Sequence, residues 1–254
     1  MATEVHVSWM GRKIFFVAPE PGVQKDLLDE LIRHEYEVAV IDNPFRTVDI
    51  LLRFPDSLSF LNLDGLSDQA ADLLLEKIAV NPVLKGVKIG IVSERDRPEL
   101  VRKYAGSLLS CGFSPVKQDL AALKAWILPV LEANHAKGRR DYLRVSCFDY
   151  PRVQLQNSRQ TVEGHIHNIS SVGIACTLFP DRSDEALADI QFLELNLKGN
   201  LCRLEGAVKA SRFIEGTREN LHVILFNPRT SEDAKSKIRA YIQWVIQSWI
   251  FPSS

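Results

Sequence analysis

The stretch KGRRDYLRV places Arg139, Arg140 and Arg144 close together in a chain that has no general excess of positive charge. Its 31 Lys and Arg stand against 32 Asp and Glu, so a general affinity for nucleic acid does not explain the cluster and the demand must be local. A guanidinium offers a planar fork of donors that meets two acceptors at once; it also stacks on a purine face and neutralises a phosphate. Roughly two dozen residues on, NISSVG holds Asn168, Ser170 and Gly173 in the spacing N-x-S-x-x-G. On an extended strand, residues two apart face the same side, so the Asn168 amide and the Ser170 hydroxyl are expected to reach one ligand, with Gly173 letting the backbone turn or approach closely. Taken singly, the arginines fit a solvated strand edge and NISSVG fits an ordinary turn; together they point to a binding site. His165 and His167 share a strand face as well. With only two ligands visible and no Cys or carboxylate at a suitable spacing, they are expected to form a half-exposed face and not a metal site.

These residues need elements to hold them. The chain has 254 residues, 46% hydrophobic and 25% charged, which is the composition of a soluble globular protein and long enough for two domains. From Gly11 to about Leu131, apolar strands (KIFFVAP, EVAVID, SLSFLNLDG, KGVKIGIVS, FSPVK) alternate with helical segments. Leu27, Leu28, Leu31 and Ile32 lie on one helical face, Ser67 is a helix cap, and Pro129 is expected to interrupt the last helix. Five β-then-α units with strands apolar throughout predict an α/β domain, a doubly wound parallel sheet covered on both faces. Beyond His135 the strands alternate polar and apolar residues: YLRVSCF, RVQLQ, TVEGHIHNIS, GIACTLF, IQFLELNL, LCRLEGAVKASRFI and LHVILFNP. They predict an antiparallel β-barrel. A terminal helix follows, with Thr230 and Asp233 as a capping-box-like start and Ile238, Tyr241, Ile242, Val245, Ile246 and Trp249 as its apolar stripe; Trp244 and Trp249 are expected in the core. The expected domains are 11–132 and 139–254, with ANHAKGRR, centred on 133–138, as a hinge. Cys111, Cys147, Cys176 and Cys202 are widely spaced in apolar settings and are expected as small buried hydrophobes.

The order R-x-x-x-R (Arg140, Arg144), then N-x-S-x-x-G, ahead of barrel strands and a terminal helix closely resembles the PilZ domain family over roughly residues 137–250. The resemblance implies a receptor for the bacterial second messenger cyclic di-GMP, with Arg140, Arg144, Asn168, Ser170 and Gly173 at the signature positions and Arg139 as an auxiliary contact. The chemistry agrees, since guanine presents O6 and N7 on one edge to a guanidinium fork.

The first half resembles a response-regulator receiver domain over roughly residues 12–131. Such a domain holds magnesium with acidic residues after its first strand and carries a phospho-accepting Asp at the end of its third. Here only Glu20 stands for the acidic pair, and FLNLDG offers Asn62 or Asp64 depending on register; Ser93 and Lys117 match their positions. Loss of one carboxylate weakens an oxygen-rich magnesium site, so a pseudo-receiver is expected, with Asp64 the phosphoacceptor if there is one.

The resulting expectation is a cytoplasmic bacterial effector without catalysis, resident cofactor, metal, direct nucleic-acid binding or membrane insertion. Cyclic di-GMP would clamp the hinge, change the inter-domain arrangement and signal to a protein partner in motility, exopolysaccharide or transcription machinery. The alternatives are a phosphorylation-driven response regulator with the barrel as output, and a scaffold that binds no nucleotide.

Overall fold

The apolar runs of the first half become five short strands lying parallel in one sheet: β1 (Ile14–Val17), β2 (Val38–Ile41), β3 (Leu58–Asn62), β4 (Lys88–Val92) and β5 (Gly112–Ser114). The computed structural model describes residues 11–95, 98–105, 108–114, 120–138, 140–156, 161–179, 187, 190, 192–217 and 219–251. The chain divides into two compact units, Met1–Asp141 and Tyr142–Ser254. In the first, the strand order β2-β1-β3-β4-β5 reverses direction between β1 and β3, the place where open α/β sheets usually carry a ligand at their carboxyl ends.

Helices α1 (Pro21–Arg33), α2 (Thr47–Arg53), α3 (Asp68–Val80), α4 (Pro98–Tyr104) and α5 (Leu120–Ala133) join the strands. α1 buries Leu27, Leu28, Leu31 and Ile32 against Phe16, Val38 and Phe60 of the sheet. Each such side chain contributes about 1.5–3 kcal/mol on full burial. Ser67 caps α3, its hydroxyl accepting from the Ala70 N–H at 3.2 Å. α5 is not interrupted at Pro129 but runs through it. The proline removes one backbone donor, yet Leu123, Ile127 and Leu131 are buried on both sides of it, and that common face holds the helix together. Ala136 is buried in the same core, its N–H donating to the Leu131 carbonyl at 2.9 Å.

In the second unit the polar–apolar alternation becomes an antiparallel sheet of β6 (Arg144–Ser146), β7 (Arg152–Gln156), β8 (Thr161–Ser170), β9 (Gly173–Phe179), β10 (Phe192–Leu197), β11 (Asn200–Leu204), β12 (Gly206–Phe213) and β13 (Asn220–Phe226). The order is β11-β10-β7-β8-β9-β13-β12, with β6 pairing β8 off this path. LCRLEGAVKASRFI is therefore two strands, which break at Glu205 and take opposite ends of the order. The expected barrel is not closed by a ladder among the described residues, where β11 and β12 do not pair. The sheet is nonetheless curled. A Cβ on Gly206 would come within 2.5 Å of Leu193 Cδ1 on β10 and 2.8 Å of the Leu225 carbonyl oxygen on β13, so strands from both ends of the order meet at this residue.

Helix α6 (Glu232–Ile250) packs on β6, β8, β10 and β11. Its cap is Ser231, which accepts from the Ala234 N–H at 3.3 Å; Thr230 instead donates to the Asn227 carbonyl at 2.6 Å. Ile238, Tyr241, Ile242, Val245 and Ile246 are buried as expected, but the stripe ends on Ile250 and leaves Trp249 50% exposed. Trp244 is half-buried, with the Lys198 ammonium 3.5 Å from its ring centre.

Candidate functional site

β8 is long enough to serve two partners on one side, pairing β7 through Thr161–His165 and β6 through Asn168–Ser170. Between these stretches lies a bulge: Ile166 opposes Cys176 and Asn168 opposes Ala175, which leaves His167 as the extra residue. β6 sets Arg144 directly across from Ser170 and Ser146 across from Asn168. Directly opposed residues of an antiparallel pair project from the same face, with Cβ atoms about 4.5–5.5 Å apart. Arg144 and NISSVG, distant in sequence, thus become one patch.

Within it the Ser146 hydroxyl donates to Asn168 Oδ1 at 3.3 Å. Ser146 is a site residue that the motif spacing does not reveal; only the strand register brings it to the amide. Ser170 lies opposite Arg144 but is 2% exposed. Its hydroxyl donates to the Gly173 carbonyl at 3.2 Å and accepts from the Val172 N–H at 3.4 Å, so it organises the turn from β8 to β9. Gly173 is buried opposite Leu225, where a Cβ would stand 2.5 Å from the Ile224 carbonyl oxygen; close approach of β9 to β13 requires the glycine. Arg144 is exposed on β6. Arg140 is exposed in the first unit, and Arg139 lies outside the described residues.

Rings lie next to this patch. Tyr150 meets His165 and His167 edge-on, at centroid separations of 6.3 and 5.9 Å, and Phe179 meets His165 at 5.2 Å. His167 Nε2 is 3.0 Å from Thr177 Oγ1. Burial lowers the His167 pKa below its ordinary value and His165 adds to the effect, while Glu219 opposes it. His165 Nδ1 is buried with no hydrogen-bond partner. No group of three or more His, Cys, Asp or Glu suited to a metal ion occurs among the described residues.

Behind β6 the Tyr241 hydroxyl of α6 donates to Asp149 Oδ1 at 2.5 Å. Burial raises the Tyr241 pKa, and the bond to Asp149 raises it further, so the phenol remains a donor. Cys147 is buried beside it, its thiol pushed up to about 12 chiefly by desolvation. All four cysteines are free and buried.

In the first unit Asn62 is the last residue of β3, paired with Val92, and Asp64 lies two residues beyond. Ser93 donates to Asp64 Oδ1 at 2.5 Å and the Glu94 N–H donates to Oδ2 at 2.7 Å, so both carboxylate oxygens are engaged. The Asp64 N–H donates to Asn62 Oδ1 at 3.0 Å. A mainly apolar cavity here is lined by Phe16, Leu27, Leu28, Phe60, Glu20 and Asp64, among others. Lys117 lies outside the described residues. No helix among the described residues is long and apolar enough to cross a membrane.

No family model and no curated protein matches the sequence. Solved structures do match. The Bacillus subtilis inhibitor of motility MotI/DgrA is 18% identical, with 45% of this chain and 53% of that chain covered and a TM-score of 0.35, so the match spans about half of its length. The PilZ domain of YcgR from Escherichia coli, solved with c-di-GMP, is 14% identical over 42% of this chain and 91% of its own, at a TM-score of 0.34. The PilZ domain of CeSA from a cellulose-synthesizing bacterium is 14% identical over 39% and 93%, at 0.25. Solved PilZ domains are thus among the structures that the C-terminal part of this chain matches.

Proposed function

We propose that the second unit is a cyclic di-GMP receptor whose ligand sits on the face shared by β6 and β8. The observation that carries this reading is the register of those strands, which sets Arg144 across from Ser170 and Ser146 across from Asn168. The Arg144 guanidinium takes O6 and N7 of a guanine, or a phosphate, through two parallel bonds. Ser146 occupies Oδ1 of Asn168, which turns the amide so that its Nδ2 hydrogens donate to the ligand. Ser170 and Gly173 act beneath the ligand, the one closing the β8–β9 turn and the other letting β13 come close. Arg140, and Arg139 before it, supply further guanidinium groups from the segment leading into β6. The signal to a protein partner follows from a difference in the affinity of the dianion for two forms of the protein.

Calorimetric titration of cyclic di-GMP into the wild type, Arg144→Ala, Arg144→Lys and Arg140→Ala, with GTP as control, tests the proposal. Each alanine should weaken binding by about 1–3 kcal/mol, and the lysine should restore little, because it keeps the charge without the fork. Equal affinity in wild type and Arg144→Ala refutes the site.

A further inference from the structure

We infer that Tyr150, His165, His167 and Phe179 form a stacking surface for a nucleobase, next to the arginine and amide of the proposed site. Tyr150 is 56% exposed and Phe179 44% exposed, and each presents an aromatic ring around His165. Isolated exposed aromatics are common on protein surfaces; four rings linked in a chain, His167 to Tyr150 to His165 to Phe179, are a feature of another kind. Tyr150 is also held at φ 47°, in the left-handed region that a bulky side chain occupies only at a cost. The bond between Tyr241 and Asp149, the residue before it, ties this turn to α6. The strain is kept where the ring spans both imidazoles.

Position selects the occupant. His167 is the bulged residue next to Asn168, and the Cys147 N–H donates to the His167 carbonyl at 2.8 Å, so the rings and the Arg144–Asn168 patch belong to one ladder. Across the bulge His165 opposes Thr177 and Asn168 opposes Ala175, so the two lie two residues of partner strand apart, about 7 Å. A ligand with a base or phosphate on Arg144 can lay a second base on the rings. Aromatic side chains next to a guanidinium are the pairing that holds unpaired bases, since every base has a π-face and the cation takes the phosphate. An apolar protein segment would use the rings and leave the polar patch idle.

The inference rests on the proposed function for the identity of the nucleotide, but not for the presence of a base. The test records the imidazole signals of His165 and His167 by NMR in the intact chain, assigned with His165→Gln and His167→Gln. GMP, cyclic di-GMP and ribose 5-phosphate are added separately, with calorimetry in parallel. Base-bearing ligands should shift both imidazoles upfield through ring currents, and ribose 5-phosphate should leave them in place. Tyr150→Ala should weaken cyclic di-GMP by about 5- to 150-fold, whereas Tyr150→Phe should retain most of the affinity. If calorimetry shows cyclic di-GMP binding while the imidazoles stay still, the stacking surface is wrong and the receptor reading stands. If cyclic di-GMP gives no heat but GMP moves the imidazoles, the receptor reading falls and the surface survives. Silence with every nucleotide overturns both and leaves the rings as a protein-contact patch; equal shifts with ribose 5-phosphate overturn the surface in favour of a phosphate site.

Discussion

Gly173→Ala separates two roles that a motif glycine can have, serving the ligand or serving the sheet. The added methyl would lie 2.5 Å from the Ile224 carbonyl oxygen, 3.0 Å from Leu225 Cδ2 and 3.3 Å from Leu225 Cα. A comfortable carbon–oxygen contact is about 3.3–3.6 Å, so β9 and β13 must part by several tenths of an ångström. The obstacle is main chain, which cannot rotate aside, and the position is buried opposite Leu225. Overpacking of this kind costs about 1–3 kcal/mol. With a urea dependence of about 2 kcal/mol per molar, a loss of ~2 kcal/mol moves the unfolding midpoint of the second unit down by about 1 M. Hydrogen exchange localises the effect, because amides of β9 and β13 should lose protection while those of the first unit keep theirs. Wild-type stability and protection in the variant, together with loss of nucleotide binding, would show that the glycine serves the ligand directly and would refute this reasoning.

Three further outcomes are expected. Tyr241→Phe removes the donor to Asp149 and should cost about 1 kcal/mol by urea unfolding; an unchanged midpoint would mean that the bond adds nothing to the latch between α6 and the turn. Burial holds His167 below its ordinary 6.5, so near that pH the unfolded chain binds more protons at this site than the folded chain. Its contribution to stability is therefore full above 6.5 and is lost as pH falls through the folded value, and His167→Gln should flatten the stability profile between about pH 7 and pH 5; an unaltered slope would remove His167 from the account. Cys111 is pushed up to about 11 and Cys147 and Cys176 to about 12 by burial, so a thiol reagent near pH 8 should react slowly with the native chain and with all four cysteines after unfolding. One thiol that titrates at the free rate in the native state would contradict the buried placement.

Much of the architecture is legible in local pattern. Short apolar runs such as KIFFVAP and EVAVID fit strands of a sheet covered on both faces, and RVQLQ alternates as a half-buried strand must. What escapes such a reading depends on residues far apart or on an irregularity with little sequence trace. Ser146 has no motif of its own, since its place beside Asn168 comes from the pairing of β6 with β8. The bulge at His167 breaks the two-residue period before Asn168 and leaves no trace in the sequence. Asn168 and Ser170 keep that period, and what the period does not anticipate is that the Ser170 hydroxyl is engaged by the Gly173 carbonyl in the turn that ends β8. Glu205 sits inside a stretch that reads as one strand, and the crossing from β11 to β12 is marked only by Gly206. Thr230 and Ser231 are adjacent capping residues, and the geometry of the first turn selects the second.

β6 is three residues long and lies off the main path of the sheet, pairing only β8 among the described residues, yet it carries the guanidinium on which nucleotide recognition is proposed to turn. A strand so placed can peel away without breaking any ladder among the other seven, held back by its pairing with β8, by the packing of α6 and by the buried Val145 and Cys147. Opening of this kind would let an arginine be withdrawn and re-presented at the cost of one short ladder, so the grip on a ligand can be set by how firmly a short flap is anchored as well as by the chemistry of the side chain it bears.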